Sequence, residues 1–172
     1  MAHLRLAALA ALAPLLAGCF TVDGLLRADG SGTVELTYVP AKHATIDSET
    51  VRFTSPHVTV RSVEPVPGGA RVRADFDDVT KLATAEGFRM ATVGHRRHGT
   101  REALKLVIRN PEPKPFQDHG EPWPRLALML PGRVVAATPR AEIAGDRVVW
   151  KIPIAEYVRR PRTTVSVRWT SP

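Results

Sequence analysis

Cysteine is nearly absent from this sequence: Cys19 is the single one in 172 residues. That excludes a disulfide framework and any cysteine-built zinc or iron–sulfur centre. Aromatic residues reach only 6%, so a core has to come mainly from Val, Leu, Ile and Ala. Lysine is scarce too, at five residues (Lys42, Lys81, Lys105, Lys114 and Lys151) among 24 cations. An arginine-heavy balance beside abundant Ala, Pro and Val is also what GC-rich codons produce. A formal charge of +7 and a pI of about 10.3 therefore do not by themselves identify an anionic partner. Catalytic signatures are missing as well. There is no Gly-x-Ser-x-Gly elbow, no phosphate loop and no dinucleotide fingerprint, since Gly30-Ser31-Gly32 lacks the third glycine and the strand-to-helix setting. Carboxylate pairs that converge only in space leave no mark in a sequence; with nothing else pointing to catalysis, we expect no enzyme, no catalytic residue and no cofactor. What is present is a globular balance, 44% apolar and 24% charged, in a length suited to one domain. Fifteen prolines and twelve glycines argue for many turns and against a long-helix bundle.

The N-terminus carries the strongest signal. Arg5 precedes an uncharged apolar stretch, Leu6 to Ala17. It is shorter than the roughly 20 residues that span a bilayer and has the form of a secretory signal core. Leu16-Ala17-Gly18-Cys19 resembles the bacterial lipobox, in which a branched aliphatic and two small residues precede a cysteine that takes a diacylglyceryl group before cleavage. This predicts a signal peptide over 1–18, a mature domain over 19–172 and a palmitate-type lipid anchor on Cys19. The alternative is a plain secretory signal cut nearby, with Cys19 incidental. One acyl chain gives only reversible membrane binding, whereas two or more hold a protein there. Phe20 stands directly after Cys19, where Asp favours inner-membrane retention, so in a diderm host the expected location is the outer membrane facing the periplasm. No later apolar run is long enough for a second membrane segment.

The rest reads as hairpins separated by turn residues. Phe20–Arg27 and Thr33–Val39 flank Asp29-Gly30-Ser31-Gly32, and Val34, Leu36 and Tyr38 alternate with polar neighbours. Val58–Glu64 and Ala70–Phe76 form a second hairpin around Pro65 to Gly69. Asp77 looks like the N-cap of a short helix, Asp78–Ala85, closed by Gly87. Phe88–Arg97 and Arg101–Arg109 make a third hairpin across His98-Gly99. Residues 110–124, with five prolines, read as an exposed loop. Leu126–Leu130, Val134–Thr138, Arg147–Ile152 and Thr163–Trp169 are the last strands. Thr45–Phe53 and Ile154–Val158 are short helical candidates. The expected fold is α+β: a largely antiparallel twisted sheet of eight or nine strands with one or two short helices.

Three clusters are candidate sites. His95 and His98 lie between Gly94 and Gly99, which predicts a solvated hairpin tip. The intervening Arg96 and Arg97 repel a dication, and His57 or His119 show no convergence with them, so no metal is expected. Asp75, Asp77 and Asp78 lack the spacing of a calcium loop and read as capping and surface residues. Arg159, Arg160, Arg162 and Arg168 form the densest basic patch. Nucleic acid is not expected there, because Trp150 and Trp169 fall on apolar strand faces. The patch reads either as a solvated edge or as a diffuse contact for anionic lipid headgroups.

The order of features resembles the LppM-type bacterial lipoprotein domain family. The likeness rests on the lipobox, Asp29-Gly30-Ser31-Gly32-Thr33-Val34, and Ala74-Asp75-Phe76-Asp77-Asp78. It continues in Leu130-Pro131-Gly132-Arg133-Val134-Val135 and Gly145-Asp146-Arg147-Val148-Val149-Trp150. The resemblance implies an exported, membrane-held α+β domain without enzymatic activity that handles lipid-like or small hydrophobic ligands. The alternative is an assembly module that docks an envelope protein through a sheet edge.

Overall fold

The computed structural model describes residues 20–115 and 124–171. The signal segment and Cys19 lie outside the described residues. In chain order the elements are β1 (Thr21–Leu26), β2 (Gly32–Tyr38), α1 (Ile46–Phe53), β3 (Val58–Val66) and β4 (Gly69–Phe76), then the 3-10 turns Val79–Thr84 and Glu86–Phe88. They continue with β5 (Ala91–His98), β6 (Arg101–Arg109), β7 (Arg125–Met129), β8 (Arg133–Thr138), β9 (Ala141–Ala144), β10 (Arg147–Lys151), α2 (Ile154–Arg159) and β11 (Arg162–Thr170).

The fold is α+β, as the sequence indicates, but its strands divide into two sheets. One runs β3-β4-β2-β1-β7-β10-β9 and the other β5-β6-β11-β8. All described pairings are antiparallel except β1 with β7. The inner faces supply one core: Val34, Val72, Ala74, Leu126, Val148 and Trp150 from the first sheet meet Val93, Leu104, Ile108, Val165, Val167 and Trp169 from the second. Trp150 joins the layers by donating its indole N–H to the Thr138 carbonyl at 3.1 Å. This core lies within residues 20–171, so the segment from residue 20 onward holds the packing that stabilises the fold.

Local chemistry explains most element ends. Gly30 turns the β1–β2 hairpin with φ +88°, while the Asp29 carboxylate accepts from the Ser31 backbone N–H at 2.9 Å. Thr45 caps α1: its Oγ1 accepts from the Ser48 N–H at 3.1 Å, and Ser48 Oγ accepts from the Thr45 N–H at 2.9 Å. Several boundaries differ from expectation. β3 continues through Pro65 to Val66, leaving Pro67-Gly68 as the turn; a proline is tolerated because β3 is an edge strand with an amide to spare. Asp78, rather than Asp77, caps the following helix, accepting from the Thr80 N–H at 2.8 Å. That helix is 3-10 and closes at Ala85. Gly87 serves a different purpose, since a Cβ there would lie 2.3 Å from the Phe53 ring. Phe88 belongs to a turn rather than a strand, and Pro124 is fully buried rather than part of an exposed loop.

Candidate functional site

The two sheets do not close completely on each other. Val22, Leu36, Leu106 and Leu128 point between them yet are only half-buried, because they face a cavity of about 460 Å³. β1, β2 and β7 form one wall, and β5 and β6 the other. Gly24 widens the space, since it sets no side chain against Leu128 Cδ1. Phe53 and Phe88 pack edge to face at 5.0 Å between ring centroids, and Tyr38 meets Phe53 at 5.6 Å. At the end where the chain enters β1, Phe20 packs on Tyr157 of α2 at 5.5 Å. Burial raises the Tyr157 phenol above its ordinary pKa, which keeps it neutral.

Among the described residues one charged side chain lines this cavity: Arg52. It stands beside Tyr38 and the exposed Val39, with its guanidinium 5.2 Å from the Phe53 centroid and 5.9 Å from that of Tyr38. Arg52 pairs with the buried Glu49 carboxylate at 3.0 Å, which also accepts the Tyr38 hydroxyl. Burial, then the hydrogen bond and charge of Glu49, drive the Tyr38 phenol far above its ordinary range. The arrangement is an apolar chamber with a neutral hydroxyl and a guanidinium at its rim. It suits a molecule with an apolar body and a polar end.

The histidine expectation needs correction. His95 is not a solvated tip: its side chain is 16% exposed and stacks on Trp169 at 5.6 Å. It lies 2.7 Å from Glu102, which is itself 1% exposed. The Ser171 hydroxyl and Arg97 also donate to Glu102. Burial alone pushes the Glu102 carboxyl up, but these donors outweigh it and hold it below the usual carboxylate range. The cluster closes the end of the sandwich opposite Phe20 and takes no part in the cavity. His98 is exposed, and His57 pairs with Asp77 at 3.0 Å. The three aspartates are committed separately: Asp75 to Arg61, Asp77 to His57 and Asp78 to Thr80.

The four arginines of the basic patch are likewise divided. Arg159 and Arg160 lie at the end of α2, where Arg160 pairs with Glu156 at 2.9 Å. Arg162 and Arg168 sit on β11 and point to solvent from the outer face of the second sheet. The four thus lie on two elements, α2 with its cap and β11. Among the described residues no helix is long and apolar enough to cross a membrane.

Among solved structures, the fold is similar to the folded domain of the LppM protein of Mycobacterium tuberculosis, determined by NMR. The TM-score is 0.58 at 15% sequence identity, and the match covers 88% of each chain. No family model matches the sequence, and no curated protein matches it. At this identity the likeness is one of fold.

Proposed function

We propose that this chain is a non-catalytic binding domain, held at the bacterial envelope through Cys19, that takes a lipid-like amphiphile between its two sheets. The observation carrying this reading is the 460 Å³ apolar cavity with Arg52 at its rim. A dry, closed void of that size would cost on the order of 10 kcal/mol at about 24 cal/mol per Å³. That is comparable with the whole stability of a domain, so the space makes physical sense as an open site for an apolar occupant. Each methylene buried contributes about 0.8 kcal/mol. Ten of them reach about 8 kcal/mol before ordering costs, near the free energy of a micromolar complex. Phe20 lines the cavity and follows Cys19 directly, so a lipid anchor there would put the site beside the bilayer that supplies such ligands. The second reading, docking of an envelope protein by strand addition, is less favoured. Of the first sheet's two edges, β3 carries a bulge near Arg61 and a proline at 65 and β9 has only four residues, features that discourage pairing; the edges of the second sheet, β5 and β8, are where such docking would have to occur.

Native mass spectrometry of the segment 20–172 tests the reading. The expected result is a co-purified adduct of lipid mass, or one formed on incubation with a long-chain fatty acid. A bare mass under both conditions would count against the cavity, and capture of one envelope protein by that bare domain would favour the edge.

A further inference from the structure

The chain's net charge is confined to one sheet. β5, β6, β8 and β11 carry eight of the 24 lysines and arginines and one of the 17 acids, Glu102. These four strands thus hold the entire formal +7, and the rest of the chain balances to zero. Glu102 is buried on the inner side of the sheet and pairs there with the half-exposed Arg97. The remaining seven cations alternate with buried neighbours and stand exposed on the outer face. They are Arg96 on β5, then Arg101, Lys105 and Arg109 on β6. Arg133 on β8 and Arg162 and Arg168 on β11 complete the set. Among the described residues none of the seven has a carboxylate within ion-pair distance. The first sheet is built in the opposite way. All six of its cations are paired: Arg61 with Asp75, Arg71 and Arg73 with Glu35, Arg125 and Arg147 with Asp23, and Lys151 with Glu142.

The register spaces the unpaired charges. Gly94, Lys105, Ser166 and Thr138 lie side by side across the sheet, and the next outward row reads Arg96, Ala103, Arg168 and Ala136. Each long cation in these rows therefore stands beside a small residue. Arg96, Lys105 and Arg168 surround a depression floored by Gly94, Ala103 and Ser166, with diagonal neighbours about 7–8 Å apart. A nine-residue strand spans roughly 30 Å, so the seven cations cover an extended, shallow face rather than one pocket.

We propose that this face docks on an anionic lipid surface. Seven unneutralised cations on a broad sheet complement a plane of many anions better than a single free phosphate, which would engage only the central three. Nucleic acid is the poorer match, because among the described residues this face presents no Phe, Tyr or Trp side chain on which bases could stack. Position agrees as well. Arg109 and Arg162 are register partners at one end of the face, where the Asn110 side chain binds the Val158 carbonyl at 2.8 Å. Tyr157, beside Val158 on α2, packs on Phe20, so the face begins at the end of the domain from which the N-terminal segment departs. The proposal does not depend on the cavity, which lies on the other side of the sheet.

Vesicle flotation of the segment 20–172 decides the matter. Vesicles of phosphatidylglycerol and phosphatidylcholine in equal parts should retain the domain at low salt, and pure phosphatidylcholine should not. Near 0.15 M salt, where the screening length falls to about 8 Å, retention should weaken. Changing Arg96, Lys105 and Arg168 together to Gln should lower partitioning about fivefold per residue, on the order of a hundredfold in all. Changing the off-face Lys42, Lys81 and Arg89 to Gln should leave most of it. Equal losses in both triple variants, or retention by the first, would overturn the proposal, as would tighter binding to a DNA duplex than to vesicles at matched phosphate concentration.

Discussion

Replacing Glu102 should be among the most damaging single changes in the domain, and the damage should depend on pH. Its carboxylate is 1% exposed and accepts from the Ser171 hydroxyl, from His95 at 2.7 Å and from Arg97 at 3.3 Å. Arg97 is half exposed and donates as well to the Ala28 carbonyl, so that pair is largely screened and adds little. The two shielded bonds, each with a charged acceptor, are worth roughly 1.5–3 kcal/mol apiece. Glu102→Ala should therefore cost about 3–5 kcal/mol at neutral pH. Glu102→Gln keeps the shape and loses the charge, so it should cost about half as much. The sign of the pH effect follows from the depressed folded-state pKa. The contribution is complete above the ordinary carboxylate pKa of the unfolded chain. It disappears as pH falls through the lower folded value. Urea unfolding of the segment 20–172 and both variants, at neutral pH and in steps into acid, measures this. An Ala variant within about 0.5 kcal/mol of the parent, or a gap between parent and Gln variant that stays constant into acid, would refute the reasoning.

Three further outcomes are expected. Expression with labelled palmitate should mark the protein at the membrane, and Cys19→Ser should lose both label and membrane retention; equal label in the two removes the anchor. Gly87→Ala should destabilise by about 1–3 kcal/mol, because its Cβ would lie 2.3 Å from the Phe53 ring, and adding Phe53→Leu should recover part of the loss in thermal melts. Thr45→Ala removes the acceptor of the Ser48 N–H and should cost about 1 kcal/mol, visible as an earlier loss of ellipticity on urea titration.

The strands were legible because their side chains alternate. Ala70, Val72, Ala74 and Phe76 are all buried, as period two requires, and the turns carry glycines at positive φ. The division into two sheets was not legible. Hairpins are local, but the β1–β7, β6–β11 and β8–β11 pairings join segments far apart in sequence, and no turn residue encodes them. The cavity escaped for a related reason: Val22, Leu36, Leu106 and Leu128 read as ordinary core until the opposite wall is placed. At His95 the flanking Gly94 and Gly99 suggest a tip, whereas the side chain is mostly buried. Carrying the alternation through Val93 would have turned it inwards beside Leu104, its register partner. The cationic face was within reach too, in Arg101, Lys105 and Arg109 at even spacing on β6. Nearness in sequence groups Arg159 and Arg160 with Arg162, but the run crosses from α2 to β11.

The most direct test of the central claim is calorimetric titration of the segment 20–172 with saturated fatty acids of increasing chain length, beside the variant Leu106→Trp. Leu106 lines the wall formed by the second sheet, so a larger ring there fills the space without touching the rim. If the cavity holds the tail, affinity should rise about fourfold per added methylene, the equivalent of about 0.8 kcal/mol, until the chamber is full, and Leu106→Trp should abolish the rise. Affinity that ignores chain length, or that Leu106→Trp leaves unchanged, would contradict the account.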